Sequence, residues 1–502
     1  MTATGSRTRQ AALRDPMRSA GGLHVTGRLR RGVAEFLRLP LLMIFAFCVA
    51  GVLVALLDAS ADERAPLREI AAALVPDEGS IEFVSAVATS VVTVTSITFS
   101  VLLLAVQQTS QALTAVVFDQ FLRRTANQVY FGFFVGTSAF CFLILGPARR
   151  DPAPVYGAAI TLVLAVVALV ILLLLIHGTI DQMRPQSVVR SIHELALRAR
   201  ERELVLLCRT RAERTSEPSG RERGVTVYDS GYVVSVDVDA LARVAAEAGD
   251  DVEIIVRGAL GDYLVFGDVT ALIAGVDADD DSWDDAVREA FELNDIRDVD
   301  VEMGYATGQL NNIAWAASSS SQQSPQTAIT AVRALRDLLA RCLAGGERDR
   351  VSREDLEDGE DWQDREGGAG RPGEPSVVPV VYVDGAASRI VGALAAVVIA
   401  TAESRQVHTC AETLRAFTGT IARLRTERDR AVVGTALDSV LPAVIQHAEA
   451  PELAETLREL ERVLREHDYD VSRVAQVRDL LSQATARLLP KASDEPQAAH
   501  PR

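Results

Sequence analysis

Residues 84–106 read VSAVATSVVTVTSITFSVLLLAV, a stretch with no charge, glycine or proline that is dense in hydroxyls. About 20 helical residues cross a hydrocarbon core of about 30 Å. The run is therefore long enough to span a bilayer while carrying Ser and Thr through it. It continues without Gly or Pro into QQTSQALTAVVFDQFLRRTANQ, residues 107–128, which is polar and mildly amphipathic. One helix thus carries a hydroxylated face through a membrane and on into the aqueous phase. A chain built around such a helix is an integral membrane protein.

Four apolar runs, 39–57, 83–106, 130–145 and 155–176, fall in the first 180 residues. The second and fourth meet the spanning length easily, and the third borrows from 127–129. Run 39–57 is not a signal peptide, because 38 residues precede it and three more runs follow. Residues 1–40 hold eight Arg and two acids, whereas 58–82 hold two Arg and seven acids. The positive-inside rule then places both termini in the cytoplasm and the protein in the inner (plasma) membrane. The expected fold is a four-helix transmembrane domain joined to a cytosolic α+β domain. That domain comprises a small β barrel-sandwich-like unit and a helical C-terminal part.

Along the chain this gives a basic disordered tail (1–34), the membrane domain (35–180), a juxtamembrane helix and linker (181–222) and a small β domain (223–276). A helical segment follows (277–344), including a helix over 282–293. After it come a flexible acidic loop (345–376), a helical C-terminal domain (377–489) and a tail (490–502). Pro185 kinks the juxtamembrane helix. Gly261-Asp262 and Gly267-Asp268 read as turns between short strands, and 377–383 is a further strand candidate. Run 390–402 is apolar, but at 13 residues it reads as a buried core helix rather than a fifth span.

The net charge of −17 is carried largely by the C-terminal region, which excludes nucleic acid as a partner. Five widely separated cysteines show neither disulfide nor zinc spacing. Lys491 is the only lysine, and no Walker A, Gly-x-Ser-x-Gly or His-x-x-x-His pattern occurs. No catalytic residue, metal site or cofactor is expected, and the β unit lacks the lysine that a biotinyl or lipoyl module needs.

The membrane segment resembles the DUF2254 family of bacterial membrane proteins. The likeness rests on the Ser/Thr-rich span followed by Gln108, Ser110, Arg123, Arg124, Asn127 and Gln128, and on Ile176-His177 after the fourth span. In the β unit it continues through Gly231, Tyr232, Val236, Asp237, Leu241, Gly261, Asp262, Val265 and Gly267. Further on, Arg297, Glu302, Tyr305, Leu310, Ile313, Ala314 and Pro325 line up. The family's Asp before Ile-Ala is Asn312 here, its Asn-Asp is Gln323-Ser324, and Gly178 stands for a second His. The resemblance implies topology but no activity.

Several side chains are candidates. Ser85, Thr89, Thr93, Ser96, Ser100 and Gln107 recur at spacings of three, four and seven, near one helix face that extends to Gln108. They read either as the lining of a hydrated path or as helix-packing hydroxyls. Gly132-x-x-x-Gly136 is a close-packing motif. His177, at the end of the fourth span, is a candidate pH or interface group. Asn311, Asn312, Ser318–Ser321, Gln322 and Gln323 form an uncharged polar cluster, read as a small-ligand site or as a solvated loop with a helix cap.

Two functions follow. One is a homo-oligomeric channel or transport-like protein gated by its cytosolic domain, with an ion or small molecule as its ligand. The other is a non-conducting membrane-anchored sensory or interaction scaffold. The expected partners are the lipid bilayer and further copies of the chain. Reporters fused after Arg28, Gln128 and Arg184 should read cytoplasmic and one at Pro76 external. A periplasmic reading after Arg184 would remove the four-span topology.

Overall fold

The computed structural model describes residues 21–60, 66–75, 79–112, 125–146, 154–182, 184–215, 222–295, 297, 302–319, 325–344, 377–424, 426–447 and 449–488. Residues 1–20 of the expected disordered tail and the expected flexible loop at 345–376 lie outside the described residues, whereas 21–34, expected to be disordered, are helical and begin α1. Arg123, Arg124, Gln323 and Ser324, and the side chain of Gln108, also lie outside the described residues. The protein is mostly helical with a few small sheets, and it divides into two compact units, Met1–Arg184 and Pro185–Arg502. Among the described residues, five helices are long and apolar enough to cross a membrane, four in the first unit and one in the second.

The first unit contains α1 (Gly21–Ser60), α2 (Pro66–Leu74), α3 (Ser80–Ala112), α4 (Thr125–Leu145) and α5 (Val155–Gln182). Its central element is α4. Within its span window 56% of residues are buried, against 17, 17 and 22% for α1, α3 and α5. Small residues explain that position. A Cβ added at Gly132 would lie 2.9 Å from Met43 Sδ and 3.1 Å from Pro40 Cα, and one at Gly136 would lie 2.7 Å from Phe47 Cδ2. Both glycines therefore let α4 approach α1 of the same chain closely. Phe140, Cys141 and Ile144 of α4 then pack with Val54, Val84, Ala88 and Ala158.

One carboxylate fixes the end of this bundle. Asp58, in the last turn of α1, is buried, and its two oxygens accept the backbone N–H groups of Tyr156 and Gly157 at 2.9 Å each. These donors belong to the first turn of α5, where no intrahelical partner exists and the helix dipole favours an anion. Gly157 leaves room for it, since a Cβ there would stand 3.2 Å from Asp58 Oδ2 and 2.6 Å from Ile144 Cγ2.

The second unit opens with α6 (Pro185–Arg209). The helix restarts at Pro185, after α5 has ended at Gln182, so the expected kink is a break. Strands β1 (Glu222–Thr226) and β2 (Gly231–Val236) precede α7 (Val238–Ala248), whose N-terminus is capped by Asp237. Strands β3 (Glu253–Val256), β4 (Tyr263–Leu264) and β5 (Val269–Ala274), α8 (Asp284–Glu289) and β6 (Phe291–Asn294) follow. The expected helix over 282–293 is thus only six residues long. Its tail is a strand because Phe291 and Leu293 alternate and pair with β2, a tertiary contact that overrides the helical reading.

After α9 (Met303–Ser319) and α10 (Pro325–Cys342) comes β7 (Val380–Val381). One sheet has the order β1-β5-β3-β7, antiparallel except for β3–β7, and a second has the order β4-β2-β6. The β unit therefore recruits two strands from outside 223–276. Helices α11 (Ala386–Glu403), α12 (Val407–Ile421), α13 (Glu427–Val444), α14 (Pro451–Glu466) and α15 (Val471–Leu488) complete the unit. Helix α11 is the fifth apolar candidate and is longer than the run read from the sequence. It packs against α9, α10, α12 and α13, and 61% of its window is buried.

The two Gly-Asp turns share one construction. Gly261 and Gly267 have φ of +84° and +90°, which a side chain would disfavour. Asp262 Oδ2 accepts the N–H of Ala259, and Asp268 Oδ2 accepts that of Val265, each at 2.9 Å.

The α1–α4 contact is directly testable. Gly136→Val should lower stability in detergent by about 1–3 kcal/mol through overpacking against Phe47, whereas Gly146→Ala, with no atom nearer than 3.6 Å, should be neutral. Equal melting temperatures for the two variants would contradict this packing.

Candidate functional site

Helix α6 buries a stripe at helical spacing: Val188, Ile192, Leu195, Ala196, Ala199, then Arg200, Glu203, Leu204 and Leu207. Two of those core positions are charged. Charges in such places need partners, and they find them across the fold. Arg200 donates Nη2 to Asp384 Oδ2 at 2.7 Å and Nη1 to Asp384 Oδ1 at 3.1 Å, a bidentate pair, and Nη1 also reaches Glu203 Oε2 at 3.2 Å. Arg389, in the first turn of α11, donates Nη2 to Glu203 Oε1 at 3.5 Å and Nη1 to the Leu260 carbonyl at 3.3 Å. It also stands 3.9 Å from Asp262. The Tyr382 hydroxyl accepts the Leu260 N–H at 2.9 Å. Three parts of the unit meet at this point: α6, the β3–β4 turn and the β7–α11 junction.

Beside this network lies a second pair. Arg297 donates Nε to Glu302 Oε2 at 3.0 Å and Nη2 to the other oxygen of the same carboxylate. The Arg297 guanidinium sits 5.4 Å from the Tyr232 ring centre and 5.2 Å from that of Tyr305, within cation–π range of both. Tyr232 in turn packs edge-on against Tyr263 at 4.8 Å. Glu302 is buried against two glycines: a Cβ at Gly261 would fall 1.9 Å from its carboxyl carbon, and one at Gly304 2.8 Å from Oε1.

Burial perturbs this region. It pushes the Glu203 carboxyl above the usual glutamate range, and the charge of Asp384 adds to the shift while Arg200 and Arg389 oppose it. Burial also raises the Tyr382 phenol, with the Glu203 charge second. Burial works against the charge on Arg200, but the Asp384 carboxylate outweighs it and keeps the guanidinium protonated.

Of the residues singled out in the sequence, Tyr232, Gly261, Arg297, Glu302 and Tyr305 are scattered along the chain and come together around one ion pair. Asn312 does not join them and is exposed on α9. From the polar cluster, Ser318 is buried, and its carbonyl accepts Gln406 Nε2 at 2.7 Å. His177 is exposed on α5. Ser85, Thr89, Thr93, Ser96, Ser100 and Gln107 are all exposed on α3, whereas Val84, Ala88 and Val91 form its buried face. Thr89, Thr93 and Ser100 donate to the carbonyl four residues back at 2.9, 2.8 and 2.9 Å.

Arg200, Glu203, Tyr382, Asp384 and Arg389 are functional candidates that sequence reasoning missed. The available signal was the appearance of Arg200 and Glu203 on an otherwise apolar stripe. Among the described residues, no group of three or more His, Cys, Asp or Glu is placed to hold a metal ion.

Gly261→Ala tests the Glu302 contact. Both it and Gly267→Ala carry the left-handed backbone cost of about 1–2 kcal/mol. Only Gly261→Ala also drives a methyl into Glu302, because nothing lies within 4 Å of a Cβ at Gly267. Denaturant unfolding of the full chain should show the larger loss for Gly261→Ala; equal losses would remove Glu302 from that turn.

A search of the curated proteins and of the solved structures returned no match to this chain. The model of the predicted membrane protein family DUF2254 matches residues 34–360, which takes in most of the first unit, strands β1 to β6, and the Arg297–Glu302 pair with its glycines and tyrosines. The chain therefore belongs to the DUF2254 family of predicted membrane proteins.

Proposed function

We propose that this protein is a homo-oligomeric channel- or transport-like protein of the inner membrane, with α3 facing the path and the second unit gating it in the cytosol. One observation carries the reading: Ser85, Thr89, Thr93, Ser96, Ser100 and Gln107 of α3 are exposed, while Val84, Ala88 and Val91 form the face that packs on the other described helices of its unit. Packing among the described helices of this unit therefore does not account for the stripe. A polar face in hydrocarbon turns toward water or toward another protein surface. One α3 cannot enclose a path, so several copies contribute it, as closed symmetry allows. The hydroxyl hydrogens of Thr89, Thr93 and Ser100 are already given to backbone carbonyls. Their lone pairs are what the face offers, which suits water or a cation.

In this reading the membrane domain has four spans. Helix α11 remains a core helix because it is the most buried of the five candidates and Arg389 of its first turn belongs to the ion network. The Arg-rich tail and the acid-rich first loop put both termini inside. The scaffold reading draws on the same hydrogen bonds. With every donor of Thr89, Thr93 and Ser100 satisfied, the face also fits a closed, dry seam between copies.

Cysteine accessibility separates the two. In proteoliposomes, cysteines at Thr93, Ser96 and Ser100 should react with a membrane-impermeant thiol reagent, while one at the buried Val91 should not. Ser96→Leu should block flux without unfolding the bundle. Cross-linking between copies without any labelling, together with destabilised Leu variants, would leave the scaffold.

A further inference from the structure

We propose that Glu203 is a proton-operated latch: taking up a proton at Glu203 releases Arg389 from α6 and frees the β3–β4 turn and the start of α11 from that helix. The geometry carries this. Glu203 is 3% exposed, yet among the described residues its carboxylate accepts two hydrogen bonds, both long, at 3.2 and 3.5 Å. A buried carboxylate offers about four acceptor positions, so this one is poorly compensated for lost water. Arg200 spends its short bonds on Asp384 instead. Arg389 is held loosely throughout: 3.5 Å to Glu203, 3.3 Å to the Leu260 carbonyl, 3.9 Å to Asp262 and, among the described residues, no hydrogen-bond partner for its buried Nε.

The charged and titratable groups around Glu203 come from each neighbouring element. Arg200 shares its helix. Asp384 and Arg389 come from the β7–α11 junction, Tyr382 from β7 and Asp262 from the β3–β4 turn. Glu302, next to Arg389 at the start of α9, is engaged by Arg297, and Cys342 ends α10 near Arg200. The His193–Asp337 pair joins α6 to α10 separately.

A proton from hydronium in the solvent adds to Glu203 Oε1, the oxygen facing Arg389; an O–H bond forms there and water is left behind. An acceptor then becomes a donor pointed at the N–H groups of a guanidinium, and that contact is lost. The Arg200–Asp384 pair is untouched, so α6 stays docked at its other end. The sign of the linkage fits a switch rather than acid unfolding. Because the folded-state carboxyl titrates above its unfolded value, the native state binds the proton more tightly. Its penalty is fully present above the folded pKa and is relieved as pH falls through it toward the unfolded pKa.

The experiment is hydrogen exchange of the full-length protein in nanodiscs at about pH 7.5 and about pH 5.5, corrected for intrinsic exchange, spanning the range above ordinary carboxylate titration. Residues 258–264 and 384–392 should lose about tenfold of their protection at the lower pH, as a local opening does, while 451–466 should not change. Glu203→Gln should show the low-pH protection at both values, and Asp262→Asn should keep the wild-type step. Unchanged wild-type protection overturns the proposal on its own, even if Glu203→Gln fails to fold. A step that persists in Glu203→Gln, or vanishes in Asp262→Asn, overturns it as well.

Discussion

A guanidinium that cannot reach bulk water organises the larger unit. Arg200 sits on the core stripe of α6, where Ala196 and Ala199 precede it and Glu203 and Leu204 follow. Burying that charge is costly unless a carboxylate meets it with good geometry. The partner, Asp384, lies 184 residues further on. It also accepts the backbone N–H of Ala386, so it caps the start of α11 while holding α6. The segment running into it lies between β3 and the end of α6: Ile254 N–H donates to the Pro379 carbonyl, and Tyr382 N–H to that of Arg211. Sheet edge, helix start and charge pair are thus one construction.

The first unit obeys a different constraint. In hydrocarbon no hydrophobic force draws helices together, so close packing and buried polar bonds decide which helix is central. That explains why α4, rather than the more apolar α5, occupies the middle. Its glycines admit Met43 and Phe47, and its Ser138 hydroxyl is satisfied within the helix by the Phe134 carbonyl. Asp58 serves the same economy of polar groups at the bundle's end, answering two N–H donors of α5 that no helix can satisfy alone.

Much of this was legible in the sequence, for identifiable reasons. The long apolar runs announce themselves by length, and the Gly-Asp turns by residue types that tolerate positive φ and accept local N–H groups. The C-terminal helices show in their three- and four-residue spacing. What escaped was set by tertiary contact. Strand β6 follows directly on a helix and leaves no clean period, whereas the two-residue β7 falls inside the strand expected over 377–383. Spacing showed that the α3 hydroxyls share a face, but which way that face points depends on where Val84, Ala88 and Val91 find partners. The Arg200 network joins residues too distant for any local pattern to connect.

The family motif takes on physical meaning in this light. Its scattered pieces, Gly231-Tyr232, Gly261-Asp262 and Arg297 with Glu302 and Tyr305, resolve into one guanidinium between two rings. Its carboxylate partner is pressed where only glycines fit. Such a pair is closed: each charge is already used by the other, so its service is to lock the β3–β4 turn against the start of α9. Asn312 is exposed on a later turn of α9 and stands apart from the pair. Through Leu260 and Asp262 the same turn touches Arg389, which lies beyond the residues matched by the family model. Within the residues that the family model covers, the Arg297–Glu302 pair holds one side of that turn. On its other side the C-terminal helices bring Arg389, held by longer contacts, and the proposed release at Glu203 acts there.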